Sequence, residues 1–215
     1  PRVLHLCGDR LVQQPAPALE GARHNEVKAV QTVDAAHPAV LDVCAKHAEI
    51  QLEAEVSAAR TLTLELMRTC DEAVRLTWEN DMLTLDRTTL SLCSDSGMTK
   101  TMSMPLVAKD GRISLRVYVD ACAVEVFAEG ETMTALAFPV GEDYGVAVKA
   151  EGKADVTLTC WEKADVAAPG VLVVALGGNE NEEIGYPPLV RQPGGAPGKY
   201  PAAVKKYGGS CAMIG

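Results

Sequence analysis

The sequence predicts an all-β protein, an antiparallel two-sheet β-sandwich of jelly-roll-like form, followed by an irregular, partly helical tail. Three observations carry this. Apolar and polar residues alternate strictly in successive segments, most plainly over residues 49–56, where Ile50, Leu52, Ala54 and Val56 oppose Gln51, Glu53 and Glu55. Turn signals recur every 8–12 residues or so, the spacing of sandwich strands. The densest stretch, residues 113–138 (ISLRVYVDACAVEVFAEGETMTALAF), holds three strands in succession: 115–119, then 124–127 after a corner at Ala121-Cys122, then 132–138 beyond the Glu129-Gly130 turn, stopped by Pro139.

In chain order, residues 3–6 and 10–13 form a first hairpin about Gly8-Asp9. Pro15 and Pro17 fix φ and remove donors, so the segment that follows is expected to be extended and averse to helix. From residue 25 the pattern weakens: Val27, Val30 and Val33 are mixed with Ala and His, and Pro38 interrupts. Residues 49–67 are rich in Glu, Ala and Leu, which favour helix, but the period of two decides for strands at 49–56 and 61–67. Residues 73–78 and 82–86 alternate again about an Asn80-Asp81 turn, and 88–104 are polar and predict a long loop with one short strand. Lys109-Asp110-Gly111 turns the chain into the central stretch, and strands at 144–150 and 155–162, joined by 151–153, complete the sandwich. Residues 1–165 are thus the sandwich domain, 166–170 a linker and 171–215 the tail. In the tail, 171–176 is expected to begin a short helix closed by Gly177-Gly178, 187–201 carries five prolines and three glycines that forbid regular structure, and 202–207 forms a helical turn or two.

With 47% hydrophobic and 23% charged residues the chain has the makeup of a soluble globular protein. Aromatics are only 4%, so the core is built from Val, Leu, Ala and Met, and little remains for the stacking platforms that single-stranded nucleic acid or sugar rings use. A net charge of −9, concentrated in residues 1–165, opposes nucleic-acid binding. The seven cysteines (7, 44, 70, 93, 122, 160 and 211) form no CxxC pair and read as buried small hydrophobes of a reducing, cytoplasmic protein. No signal peptide is visible, and the longest apolar run, 166–176, is broken by Pro169 and Gly170 and falls far short of the roughly 20 residues that span a bilayer, so no membrane insertion is expected. The chain opens on Pro1 and reads as part of a longer one.

Candidate catalytic groups are few. His5, His24, His37 and His47 show no HxxxH or HExxH spacing, so solvated histidines outweigh a metal site or general base. No nucleophile elbow, P-loop, dinucleotide fingerprint or EF-hand loop occurs, and neither cofactor nor metal is expected. Two carboxylates about 5–10 Å apart suffice for glycoside hydrolysis, and Asp120 with Glu125, or Glu129 with Glu131, flank the turns of the central stretch. Asp120 at a strand end and Glu125 on a strand face are better explained as turn-stabilising and solvent-facing groups, so no catalytic residue is assigned.

The central stretch resembles the signature of the C-terminal β-sandwich of glycoside hydrolase family 32, the invertases and sucrose-6-phosphate hydrolases. Leu115, Arg116, Val117, Tyr118, Val119, Asp120, Val124, Glu125, Val126, Phe127, Phe138 and Pro139 match it, while Ala121-Cys122-Ala123 replaces the family's usual Arg-Ser-Ser. Pro1-Arg2, Leu4, Leu6, Leu11, Gln13-Gln14-Pro15, Leu19 and Arg23 resemble the family's approach to the sandwich, residues 83–87 its L-T-x-D-R strand and 158–162 its last strand. The resemblance implies that Arg116, Asp120, Glu125, Phe127, Phe138 and Pro139 are structural signature residues. It also implies that catalysis belongs to an N-terminal five-bladed propeller, whose W-[ML]-N-D-P-N-G, R-D-P and E-C motifs this sequence lacks. The chain is then expected to be a non-catalytic accessory domain of a bacterial enzyme of this kind, with that propeller as its partner and a further contact between copies of the chain; the alternatives are a carbohydrate-binding module and a sugar phosphotransferase-system phosphotransfer fragment.

Residues 175–181, 184–186 and 202–208 resemble parts of a phosphotransferase-system enzyme IIB domain, in which a cysteine of a C-x-T-R-L-R strand takes the phosphoryl group. Pro187 stands at that position, so the resemblance implies a degenerate domain without phosphotransfer. The proline- and glycine-rich run between matching flanks has the character of an out-of-frame reading of a G/C-rich gene. Translating the DNA in all frames and finding no such cysteine segment would exclude that origin.

Overall fold

A computed structural model describes residues 2–93, 99–141 and 144–163, together with the backbone of two strands, Val173–Leu176 and Ser210–Met213. The strands in chain order are β1 (Arg2–Cys7), β2 (Arg10–Pro15), β3 (Arg23–Val33), β4 (Ala39–Leu41), β5 (His47–Glu55), β6 (Ala59–Arg68), β7 (Val74–Glu79), β8 (Met82–Asp86), β9 (Thr101–Pro105), β10 (Arg112–Asp120), β11 (Ala123–Ala128), β12 (Glu131–Leu136), β13 (Gly145–Gly152) and β14 (Ala154–Lys163). Hydrogen bonding arranges them as one sheet of order β12-β11-β10-β5-β14-β3, a second of order β4-β13-β6-β7-β8-β9, and a separate β1-β2 hairpin. Every pairing is antiparallel.

Alternation makes a sandwich because each strand offers one apolar face, and two such faces exclude water only by meeting. Ile50, Leu52, Leu115, Val117, Val126 and Leu158 of the first sheet and Leu62, Leu64, Leu66, Leu76, Leu83, Leu85 and Val148 of the second are no more than 2% exposed. Burial of each such side chain contributes about 1.5–3 kcal/mol, which is how a core nearly free of aromatics suffices. The connections fall where the sequence placed them. Asn80 (φ 51°) with Asp81 (φ 58°), Asp110 (φ 51°) with Gly111 (φ 73°), and Glu129 (φ 49°) with Gly130 (φ 84°) each put two successive residues in the left-handed region, the turn whose twist matches that of its strands.

Four features differ from, or complete, the sequence reading. The segment after Pro15 is not extended: Pro17–Ala22 forms a 3-10 helix, because Pro17 at the first position has the required φ and its missing N–H would have had no partner there anyway. The weakly patterned residues 25–33 form most of β3, an edge strand paired only to β14 and largely exposed, so there was little burial for alternation to report. Cys93 and Cys160 are buried, but Cys7, Cys44 and Cys70 are exposed, since the hairpin end and the loops that carry them reach no core. In the tail, residues 173–176 do not begin a helix. Val173–Leu176, headed by two β-branched residues, instead pairs antiparallel with Ser210–Met213 in a sheet of its own. The expectations for residues 177–209, Pro187 included, lie outside the described residues.

Candidate functional site

Glu49 stands on the outer face of β5, where alternation points a side chain at solvent, directly between Tyr118 of β10 and Trp161 of β14. Yet its side chain is completely buried. Residues 17–23 fold over this end of the sheet and bring Arg23 to it, where β10 supplies Arg116 and β14 supplies Lys163. Arg23 donates through Nε to Glu49 Oε2 at 3.1 Å, Arg116 through Nε to Oε1 at 2.6 Å, and the Lys163 ammonium lies 2.9 Å from Oε2. The same cations hold the covering segment: Arg116 Nη2 donates to Glu20 at 3.1 Å, and Lys163 Nζ donates to the Leu19 carbonyl.

Burial opposes ionisation of Glu49, but the hydrogen bonds from Arg23, Lys163 and Arg116 outweigh it and lower its pKa from 4.5 to about 2. A general acid needs a pKa near the working pH; Glu49 is instead a permanent anion paired with three cations. The aromatic neighbours complete the seal. The Arg23 guanidinium lies 4.3 Å from the Trp161 ring centre, and the Lys163 ammonium 5.3 Å from that of Tyr118. The Tyr118 hydroxyl is buried without a hydrogen bond of normal geometry; burial first, and then the charge of Glu49, push its pKa up.

A second clamp lies beside the first. Arg2 donates to Gln13 at 2.7 Å, to Glu125 at 3.0 Å and to Thr134, with its guanidinium 5.4 Å from the Phe127 ring centre. Phe127 in turn meets Tyr118 edge to face at 5.9 Å. Three signature residues, Arg116, Glu125 and Phe127, therefore converge on one patch that grips the N-terminal segment. The other three lie elsewhere. Asp120, two residues beyond Tyr118 at the C-terminal end of β10, is 2.8 Å from His47 Nδ1; Phe138 is half-buried against the core; Pro139 is buried. Glu125 faces outward from its sheet and is partly covered by Arg2.

Sequence reasoning missed Glu49, Lys163 and the grip of Arg2. Arg2 and Arg23 were legible as cations flanking a proline-bearing segment, but their partners lie 123 and 26 residues away, and only strand register brings them together. The second sheet repeats the device with Glu65, buried on its outer face between Arg75 at 3.3 Å, Lys149 at 3.1 Å and Arg68 at 3.5 Å.

Beyond Arg2 and Gln13, the same face of the hairpin is apolar and exposed. Leu6 pairs directly with Leu11, and Leu4 lies on the same face two residues away; the three are 75%, 57% and 59% exposed. The tip of the hairpin is thus an exposed apolar stripe.

Fold and site together define the class: an antiparallel β-sandwich domain with its N-terminal hairpin stitched to one sheet. The description "Glycosyl hydrolases family 32 C terminal" matches residues 18–162, and the chain belongs to that family as its C-terminal domain. Among solved structures it is similar to exo-inulinase from Aspergillus awamori (21% identity, TM-score 0.60, covering 76% of this chain and 34% of that one). It is similar also to sucrose-6-phosphate hydrolase from Lactobacillus gasseri (18% identity, TM-score 0.59, covering 77% and 33%). A third likeness is to fructan 1-exohydrolase IIa from Cichorium intybus (16% identity, TM-score 0.64, covering 76% and 40%). At these identities the likeness is one of fold. The chain spans about a third to two fifths of the length of these structures. No curated protein matches it.

Proposed function

We propose that this chain is the non-catalytic accessory sandwich of a bacterial, cytoplasmic sucrose-6-phosphate hydrolase or β-fructofuranosidase, and that it stabilises a catalytic propeller. Membership of the family, whose C-terminal domain accompanies an N-terminal catalytic one, supports this reading. The observation that carries it is the exposed Leu4-Leu6-Leu11 stripe on a hairpin anchored through Arg2, a preorganised apolar face for that propeller. The sandwich also serves as a contact between copies of the whole enzyme, and the tail is an inactive remnant of a phosphotransferase-system domain.

The test is reconstitution. The propeller-containing segment encoded upstream, produced separately, is expected to co-purify with this chain, and Leu4→Ser, Leu6→Ser and Leu11→Ser together are expected to weaken the association at least about tenfold, since three buried leucines contribute several kcal/mol. Equal association by the triple variant, or sucrose hydrolysis by the purified chain alone, would overturn the proposal. Light scattering on the reconstituted enzyme reads the contact between copies.

A further inference from the structure

Four strands end the two sheets, and they are not alike. β4 has three residues, β9 five and β12 six, whereas β3 has eleven. A short edge gives another chain little to pair with; a long one presents a row of backbone donors and acceptors. Asn25, at φ 48°, marks a bulge near the start of β3, where the register against β14 shifts between Cys160 and Glu162. From Val27 to Val33 the register is unbroken. Along this regular stretch the backbone groups that point away from β14 meet no other backbone among the described residues.

The side chains select a second copy of the same strand as the occupant. Val30 is the midpoint of the regular stretch, and two antiparallel copies centred there set Val30 against Val30, Lys28 against Thr32 and Val27 against Val33. Val30 is 69% exposed and gains an apolar cross-strand partner. Lys28 is exposed and has no ion pair among the described residues. The Thr32 hydroxyl donates to Asp155 at 2.5 Å, on the strand next in. Lys28 of the second copy therefore stands two strand spacings, about 9.6 Å, from Asp155 on the same face, a distance that facing lysine and carboxylate side chains close. Glu53 and Glu55 lie nearby and, with Asp155, outnumber Arg112, so this end of the sheet attracts the incoming cation. Two-fold symmetry forms the pair twice. Other registers lose it: centring on Lys28 sets that cation against itself, and centring on Val27 carries the bulge at Asn25 into the ladder.

We propose that β3 pairs with β3 of a second copy, antiparallel and centred on Val30, joining the two six-stranded sheets edge to edge. This rests on the reading of the sandwich as a contact between copies and gives that contact its place. About six backbone hydrogen bonds and two pairs of Lys28 with Asp155 hold it. The experiment is sedimentation velocity of the full chain over a range of concentrations. A monomer–dimer equilibrium with a dissociation constant on the order of 10 µM is expected. Lys28→Glu and Asp155→Lys, both at exposed positions, each set like charges together across the edge and should raise that constant at least about tenfold with the melting temperature nearly unchanged. The two substitutions in one chain restore opposite charges and should return the constant to within about threefold of wild type. Hydrogen-exchange protection of the β3 amides should rise with protein concentration in wild type and not in Lys28→Glu. A dimer indifferent to both single variants, or a chain monomeric at about 100 µM, would overturn the pairing through β3. The reading on which it rests fails separately, when the reconstituted enzyme scatters light as a single copy.

Discussion

At the scale of single residues, Glu49 shows why a charged group inside a protein is stable only in company. Its carboxylate would be expensive to bury alone; three cations and a shared aromatic seal make it a junction instead. Glu49→Gln removes the anion and leaves Arg23, Arg116 and Lys163 facing one another with only Glu20 for relief. The expected loss is about 3 kcal/mol, or roughly 6–12 °C in melting temperature. The pH dependence has a definite sign. Because folding lowers this pKa from 4.5 to about 2, the stabilisation is fully present above pH 4.5 and disappears as pH falls toward 2. Urea midpoints of wild type and variant should therefore lie far apart at pH 7 and converge at pH 2–3; a constant difference would show that Glu49 acts by packing alone.

At the scale of elements, the β10-β11 corner shows a local cost held by neighbours. Ala121 has φ 50°, a left-handed backbone that a Cβ disfavours by about 1–2 kcal/mol. Two hydrogen bonds enforce it: the Ala121 N–H donates to the Lys46 carbonyl at 2.9 Å, and the Cys122 carbonyl accepts from the Ala137 N–H at 2.7 Å. Ala121→Gly keeps both bonds and relieves the strain, against the extra freedom glycine gives the unfolded chain. A net gain of about 0.5–1 kcal/mol is expected from chemical denaturation. A loss of stability would mean that the Ala121 methyl packs usefully at the corner.

At the scale of the molecule, the two sheets share one core and should unfold together. The cysteines report on this. Cys7, Cys44 and Cys70 are exposed and should react with a thiol reagent at pH 8 in the native protein. Burial, with a smaller contribution from Glu162, pushes the Cys160 pKa up to about 12, and Cys93 is buried as well, so both should label only on opening. Peptide mapping over time is expected to show Cys93 and Cys160 labelling in step, at a rate that follows global unfolding. Labelling of Cys160 well ahead of Cys93 would reveal that β14 opens separately.

Much of this fold is legible in the chain itself, because a strand with one buried face writes its period of two into its own residues. Residues 49–56 could be read that way against a composition that favours helix, and Asn80-Asp81 and Glu129-Gly130 named their turns by side-chain type. The edge strand β3 was illegible for the converse reason, since little of it is buried. The family likeness through residues 113–139 was carried by particular side chains, among them Arg116, Asp120, Glu125, Phe127 and Pro139. What alternation cannot say is what covers a polar face. Glu49 and Glu53 occupy equivalent positions on the outer side of β5, yet one is sealed by Arg23, Arg116 and Lys163 and the other lines an open groove. That difference depends on where residues 17–23 land and on the register of β10 and β14, and these are set by long-range pairing, not by any local pattern.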